Sequence, residues 1–160
     1  MNENNFIFTP EDEGMMRVAL REAHAAAEQD EIPVGAVLCR GGEILAAAHN
    51  RREERADVSA HAEIEVLRAA GALLGDWRMS DCTLYVTLEP CPMCAGAILG
   101  ARVGRVVYGA RDAAAGALGS VLNLPRFPLG ARPEVAGGLL ETECRALLQE
   151  FFRTRRTAEE

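Results

Sequence analysis

His61-Ala62-Glu63 followed by Pro90-Cys91-Pro92-Met93-Cys94 supplies an imidazole, two thiols and a carboxylate, a set that can hold a metal ion and move protons beside it. Neutral imidazole and thiolate are donors that Zn²⁺ favours, and three protein donors leave one position of a tetrahedral ion open. An open position admits water, whose pKa zinc lowers to about 7. The carboxylate two residues from the histidine is then of more use as a proton carrier than as a fourth ligand, because direct ligation would displace that water. The order H-x-E … P-C-x-x-C reads as a site for hydrolytic deamination. Water adds to the ring carbon that bears an amine, one proton goes to the neighbouring ring nitrogen, and another departs with ammonia. His61, Cys91 and Cys94 are the expected zinc ligands, and Glu63 is the expected general acid and base.

Such a site needs elements that aim four side chains at one point. Ser59 is placed to cap a helix with His61 and Glu63 in its first turn and Ile64, Leu67 and Ala70 on its buried stripe, ending near Gly71. Thr83–Leu88 is a strand by composition, and Glu89-Pro90 leads into a helix whose first turn holds Cys91 and Cys94. The zinc is expected between two helix N-termini, where the helix dipole lowers thiol pKa and both cysteines are expected as thiolates before metal arrives.

Around this centre, Thr9-Pro10-Glu11-Asp12 opens a helix expected from Pro10 to Gln29. Val34–Leu38 and Ile44–Ala48 form a hairpin about Gly41-Gly42, ending near His49-Asn50. Arg105–Tyr108 repeats the strand signal, and Glu134-Val135-Ala136 is a short edge strand. Leu140, Cys144, Leu147, Leu148 and Phe151 mark the buried face of a C-terminal helix over about 139–156. The stretch from Ala113 to Arg132 is rich in Gly, Ala and Pro without clear periodicity, and is expected as loop and short helix. Strands separated by helices imply an α/β fold, a three-layer α/β/α arrangement with a central mixed five-stranded sheet covered on both faces.

At 160 residues and 49% apolar composition the chain makes one domain, 1–160, with a proper core. No run of about 18 apolar residues occurs, and Met1-Asn2-Glu3-Asn4-Asn5 lacks the basic and apolar regions of a signal peptide, so a cytoplasmic protein without membrane contact is expected. Five cysteines with a single C-x-x-C pair argue for one metal site rather than a disulfide framework. Cys39, Cys82 and Cys144 read as small core residues, His24 as a surface or boundary residue, and His49 as either structural or functional. The net charge of −7 argues against indiscriminate nucleic-acid binding without excluding a local basic patch. All 17 basic residues are arginine, which genome composition explains as readily as a need for bidentate phosphate contacts.

A C-x-x-C pair alone is more often a structural zinc or redox element, and an isolated H-x-E is usually accidental. Beyond the motif, however, Ile32-Pro33-Val34-Gly35-Ala36-Val37, Ala60-His61-Ala62-Glu63-Ile64, Thr83 to Glu89, Met93 to Ala97, Gly104 to Asp112 and Phe151 to Arg156 resemble the bacterial tRNA-specific adenosine deaminases of the cytidine deaminase-like superfamily. That resemblance implies conversion of adenosine to inosine at the wobble position of a tRNA anticodon, one Zn²⁺ per subunit, and a homodimer whose two subunits hold the tRNA. It also implies that Asn50 hydrogen-bonds the target base, that Asp112 contacts the neighbouring nucleotide, and that Arg153, Arg155 and Arg156 form a tRNA-binding tail. Ala114 and Ala115 depart from the family, where a more polar or basic pair is expected, as does the loop Pro125 to Pro133. The zinc signature is shared with deaminases of free bases, so a guanine deaminase is the alternative substrate reading. An RNA-binding scaffold with a retained zinc site is the non-enzymatic one, and the presence of Glu63 speaks against it.

Overall fold

The computed structural model describes residues 8–158; Met1–Ile7, read above for targeting signals, and Glu159–Glu160 lie outside them. Helix α1 (Pro10–Glu28) starts where the sequence places it. The Thr9 hydroxyl accepts from the Asp12 backbone N–H, and the Asp12 carboxylate accepts from the Thr9 N–H, each at 3.0 Å. Strands β1 (Gly35–Arg40) and β2 (Glu43–His49) form the hairpin, turning through Gly41 and Gly42 at φ 55° and 82°, where a side chain would be strained. One turn of helix, α2 (Arg52–Arg55), follows, then α3 (Ala62–Leu74), β3 (Cys82–Leu88), α4 (Pro92–Gly100), β4 (Arg105–Ala110), a 3-10 turn at Leu124–Arg126, β5 (Glu134–Gly137) and α5 (Glu141–Ala158).

The sheet order is β2-β1-β3-β4-β5, with β1 antiparallel to both neighbours and β3, β4 and β5 parallel, so the expected mixed five-stranded sheet is present. Alternation along the strands divides the core into two layers. Ala36, Leu38, Leu84, Val86 and Val106 face α3 and α4, packing on Ala62, Val66, Ala70, Ala95 and Ile98. Val37, Cys39, Tyr85 and Val107 face the other way, onto Met16, Ala19 and Leu20 of α1 and Cys144 of α5. Helix α1 lies so close to β1 that a Cβ at Gly35 would overlap the Ala19 carbonyl, which makes glycine obligatory there. Helix α1 is further tied to the sheet by Asp12, which accepts from Arg105 Nη1 at 2.8 Å and from the Tyr85 hydroxyl at 2.7 Å. Among the described residues no helix is long and apolar enough to cross a membrane.

Three local expectations are corrected. Ser59 does not cap α3: its N–H and hydroxyl both donate to Asp57, and His61 occupies the cap position in extended backbone. Helix α3 also passes through Gly71 and ends at Leu74, because Gly75 at φ 65° supplies the left-handed cap. The C-terminal helix begins at Glu141, since Leu140 adopts φ 52° and blocks an earlier start.

Candidate active site

The C-terminal ends of the parallel strands and the N-termini of α3 and α4 converge on one pocket of about 180 Å³. His61 and Cys91 are the N-caps of α3 and α4, and Cys94 sits three residues into α4. Their donor atoms lie within 4.8 Å of one another. His61 Nδ1 is 3.7 Å from Cys91 Sγ and 3.4 Å from Cys94 Sγ. Tetrahedral zinc with nitrogen at about 2.1 Å and sulfur at about 2.3 Å would hold such donors about 3.6 Å apart, so the triangle fits the ion that the donor chemistry favours. The placement between two helix starts also agrees with the sequence.

The two thiols differ in a way that dipole reasoning alone does not give. The Cys91 thiol is brought down to about 4, first by the hydrogen bond from Cys94 and then by His61. Cys94 is pushed up instead, by sharing its proton with Cys91, by burial and by the charge of Glu63. A second anion beside the first in a buried cluster is disfavoured, which opposes two thiolates ahead of the metal, and a bound cation would remove that penalty. His61 is raised, chiefly by the Cys91 hydrogen bond. Glu63, 4% exposed, is pushed up to about 7 by burial, into the range where a carboxyl can both take and give a proton at neutral pH.

Asn50 and Asp112 line the same pocket, together with Ile32, Arg52 and Glu89. The Asn50 amide donates to the Ile32 carbonyl at 3.3 Å and accepts from the Arg52 N–H at 3.1 Å, which fixes its orientation and leaves one amide hydrogen and one oxygen lone pair unused by these bonds. Asp112 Oδ1 accepts from the N–H groups of Ala114 and Ala115.

Glu89 and Arg52 were not singled out in the sequence. Glu89 is 2% exposed and accepts from the N–H groups of Asp112, Leu118 and Ser120 at 3.1–3.2 Å, and from the Ser120 hydroxyl. A Cβ at Gly116 would overlap its carboxylate. The available signal was a lone acid closing an apolar strand just before Pro90, a position where a charge is costly without partners. Arg52 stood within the Arg51-Arg52-Glu53-Glu54-Arg55 run, where nothing separates it from a solvated face.

Other candidates lie elsewhere. His49 is buried, with Nδ1 2.9 Å from Glu22 and Nε2 3.4 Å from Gln29, and serves the structure rather than the pocket. Cys39, Cys82 and Cys144 are buried as expected, and His24 is exposed. None of Arg153, Arg155 and Arg156 reaches the pocket. Arg153 pairs with Glu150 at 2.7 Å. Arg155 pairs with Asp30 at 3.1 Å and stacks on the Phe151 ring at 4.4 Å, next to the segment that supplies Ile32. Arg156 is exposed.

A helix-borne His/Cys/Cys triangle with a buried glutamate at the end of a mixed sheet defines a zinc-type nucleobase deaminase architecture. The model of the MafB19-like deaminase family matches residues 10–156. The tRNA-specific adenosine deaminase of Bacillus subtilis is 49% identical over 146 residues, covering 89% of each chain. A solved structure described under A-to-I editing by tRNA:A34 deaminases at the wobble position superposes with a TM-score of 0.83 at 46% identity, covering 84% of this chain and 99% of the other. A guanine deaminase from Nitrosomonas europaea is more distant, at 29% identity and a TM-score of 0.72, covering 94% and 88%. Two longer relatives, 45% and 51% identical, are spanned over 12% and 24% of their length. The chain belongs to the MafB19-like deaminases, among the tRNA-specific adenosine deaminases.

Proposed function

We propose that this chain hydrolyses adenosine to inosine at the wobble position (34) of a tRNA anticodon, as a cytoplasmic, zinc-dependent homodimer. The observation that carries the chemistry is the donor triangle with Glu63 buried beside it in a pocket well below the roughly 300 Å³ of ordinary small-molecule sites, suited to one flat base taken out of its stack. The likeness to tRNA deaminases rather than to the more distant guanine deaminase supports the substrate.

His61, Cys91 and Cys94 would hold the zinc, which would supply the Lewis acidity that makes water nucleophilic at neutral pH. Glu63 takes a proton from that water and passes it to N1 of the adenine ring as the oxygen adds to C6; it then carries the second proton to the departing amine, so that adenosine and water become inosine and ammonia. Asn50, held by Ile32 and Arg52, turns its remaining donor and acceptor toward the base. Asp112, half-buried at the pocket, meets the neighbouring nucleotide with the oxygen that carries no hydrogen bond among the described residues. The homodimer is supported by a shallow apolar groove between α3 and α4, lined by Leu67, Ala72, Ala97 and Trp77, the last 52% exposed. Arg153, Arg155 and Arg156 extend the RNA surface from the end of α5.

The test is inosine formation in an unmodified anticodon stem-loop, with free guanine, adenine and adenosine assayed in parallel. Inosine from the stem-loop alone is the expected result; ammonia from guanine and no inosine would overturn the substrate while leaving the zinc chemistry in place.

A further inference from the structure

A second and larger cleft, of about 1150 Å³, opens at the same end of the sheet, between the 118–126 segment, the edge of β5 and α5. Four arginines line it, Arg111, Arg126, Arg132 and Arg145, and no aspartate or glutamate does among the described residues. On a chain of net charge −7 this is a local inversion of sign. Arg145 pairs with Glu141 at 2.7 Å, but Arg111, Arg126 and Arg132 are exposed and have no ion pair or side-chain hydrogen bond among the described residues. Several arginines elsewhere are neutralised in place, including Arg153 by Glu150 and Arg155 by Asp30.

The cleft adjoins the pocket through one short segment. Asp112 and Ala115 line the pocket, while Ala113, Leu118, Gly119 and Ser120 line the cleft, and Glu89 clamps the whole stretch from behind. A strand whose one base enters the pocket must carry its neighbouring phosphates across this rim. We propose that the cleft holds the phosphodiester backbone of the RNA beside the nucleotide in the pocket, with Arg126 and Arg132 as principal phosphate contacts and Asn123 as a neutral donor; this rests on the RNA-deaminase reading above. A single small anion would call for converging buried donors, whereas these guanidiniums are spread along an open groove, the arrangement that tracks a polyanion. The basic surface that substrate binding needs is thus supplied here from the 113–133 segment, ahead of the C-terminal helix.

The experiment measures binding of a fluorescent anticodon stem-loop to the full chain carrying Glu63→Ala, alone and with Arg126→Glu/Arg132→Glu, across a salt series. A charge-matched pair, Arg21→Glu/Arg40→Glu, is the control for net charge. Loss of two phosphate contacts should weaken binding at least tenfold and make the slope of log K against log salt shallower by about 1.4, at about 0.7 per phosphate on a single strand. The control should stay within about twofold of the parent, and the neutral pair Arg126→Gln/Arg132→Gln should fall between parent and reversal. Equal melting temperatures exclude unfolding as the cause. Affinity and slope unchanged in the reversed pair would overturn the inference, as would displacement of the stem-loop by millimolar inorganic phosphate at constant ionic strength. Binding without inosine formation in the wild type would sink the proposed reaction while the slope still judges the cleft; absence of RNA binding altogether would sink both.

Discussion

Glu63 and Glu89 line the same pocket and are almost equally buried, yet their surroundings differ in kind. Glu89 is saturated with donors: three backbone N–H groups and a hydroxyl from the 112–120 segment converge on it. Burial of Glu63 is opposed by its own backbone N–H, the charge of His61 and the Cys94 thiol and reinforced by the charge of Cys91, and its pKa rises to about 7. Four donors fix a carboxylate as a peg on which a loop is hung; too few leave it able to exchange protons. Burial alone therefore does not mark a catalytic acid, and the number of partners does.

The largest effect should come from breaking the mobile member of the pair. Glu63→Gln keeps the shape and removes the exchangeable proton, so turnover of the stem-loop should fall by about a thousandfold or more. Zinc content should be unchanged, because Glu63 is not among the donors; loss of zinc in this variant would mean that the carboxylate is a ligand. Stripping zinc from the wild type with a chelator should abolish turnover as completely, and adding zinc back should restore it only where Glu63 is intact.

Glu89→Gln tests the fixed member. One oxygen becomes an NH₂ pointed at N–H donors, which leaves buried groups unpaired at a cost of about 1–3 kcal/mol. The segment carrying Asp112 should loosen, seen as faster hydrogen exchange across 112–120. Turnover should fall between about tenfold and a hundredfold through misplacement of the pocket wall, mostly in KM. A loss as deep as that of Glu63→Gln, with normal exchange, would give Glu89 a part in the chemistry and erase the contrast.

The same contrast explains what was legible in the sequence. The metal triangle and Glu63 were readable because they depend on local features: ligand spacing and helix starts, with two apolar strands between them. The hairpin, all five strands and the order of the long helices followed from period and punctuation for the same reason, with boundaries off by one to three residues at Arg40, Leu74 and Glu141. The stretch from Ala113 to Arg132 was legible as loop and short helix but not in its path, because what shapes its first part is a carboxylate more than twenty residues upstream rather than any repeat of its own. Helix α2 was missed for a related reason: it is a single turn whose first N–H groups are capped by the buried Glu31, at 2.7 Å to Glu53 N and 3.4 Å to Glu54 N, a partner remote in sequence. The unequal thiols escaped because their protonation belongs to the cluster and not to either residue.

Asp12 supplies a third kind of buried carboxylate, partnered by a cation and remote from the pocket, and gives the smallest predicted effect on activity. The Arg105 guanidinium holds its carboxyl well below the usual 3.8 against the opposing effect of burial, with the Thr9 N–H and the Tyr85 hydroxyl helping. A group depressed in the folded state stabilises the fold above its unfolded pKa and loses that contribution as pH falls through the folded value. Asp12→Asn should therefore cost about 3 kcal/mol in urea unfolding at pH 7, the order expected when one partner of a buried pair is removed. The gap to wild type should be much the same at pH 5 and narrow progressively below about pH 4, near the usual carboxylate value. Turnover below the melting transition should change less than twofold, since Asp12 anchors α1 to β3 and β4 at a distance from the donors. A difference that stays constant down to pH 2 would assign the loss to packing of α1 rather than to the ion pair, and Asp12 would then belong with Glu89, as a buried carboxylate whose hydrogen bonds matter more than its charge.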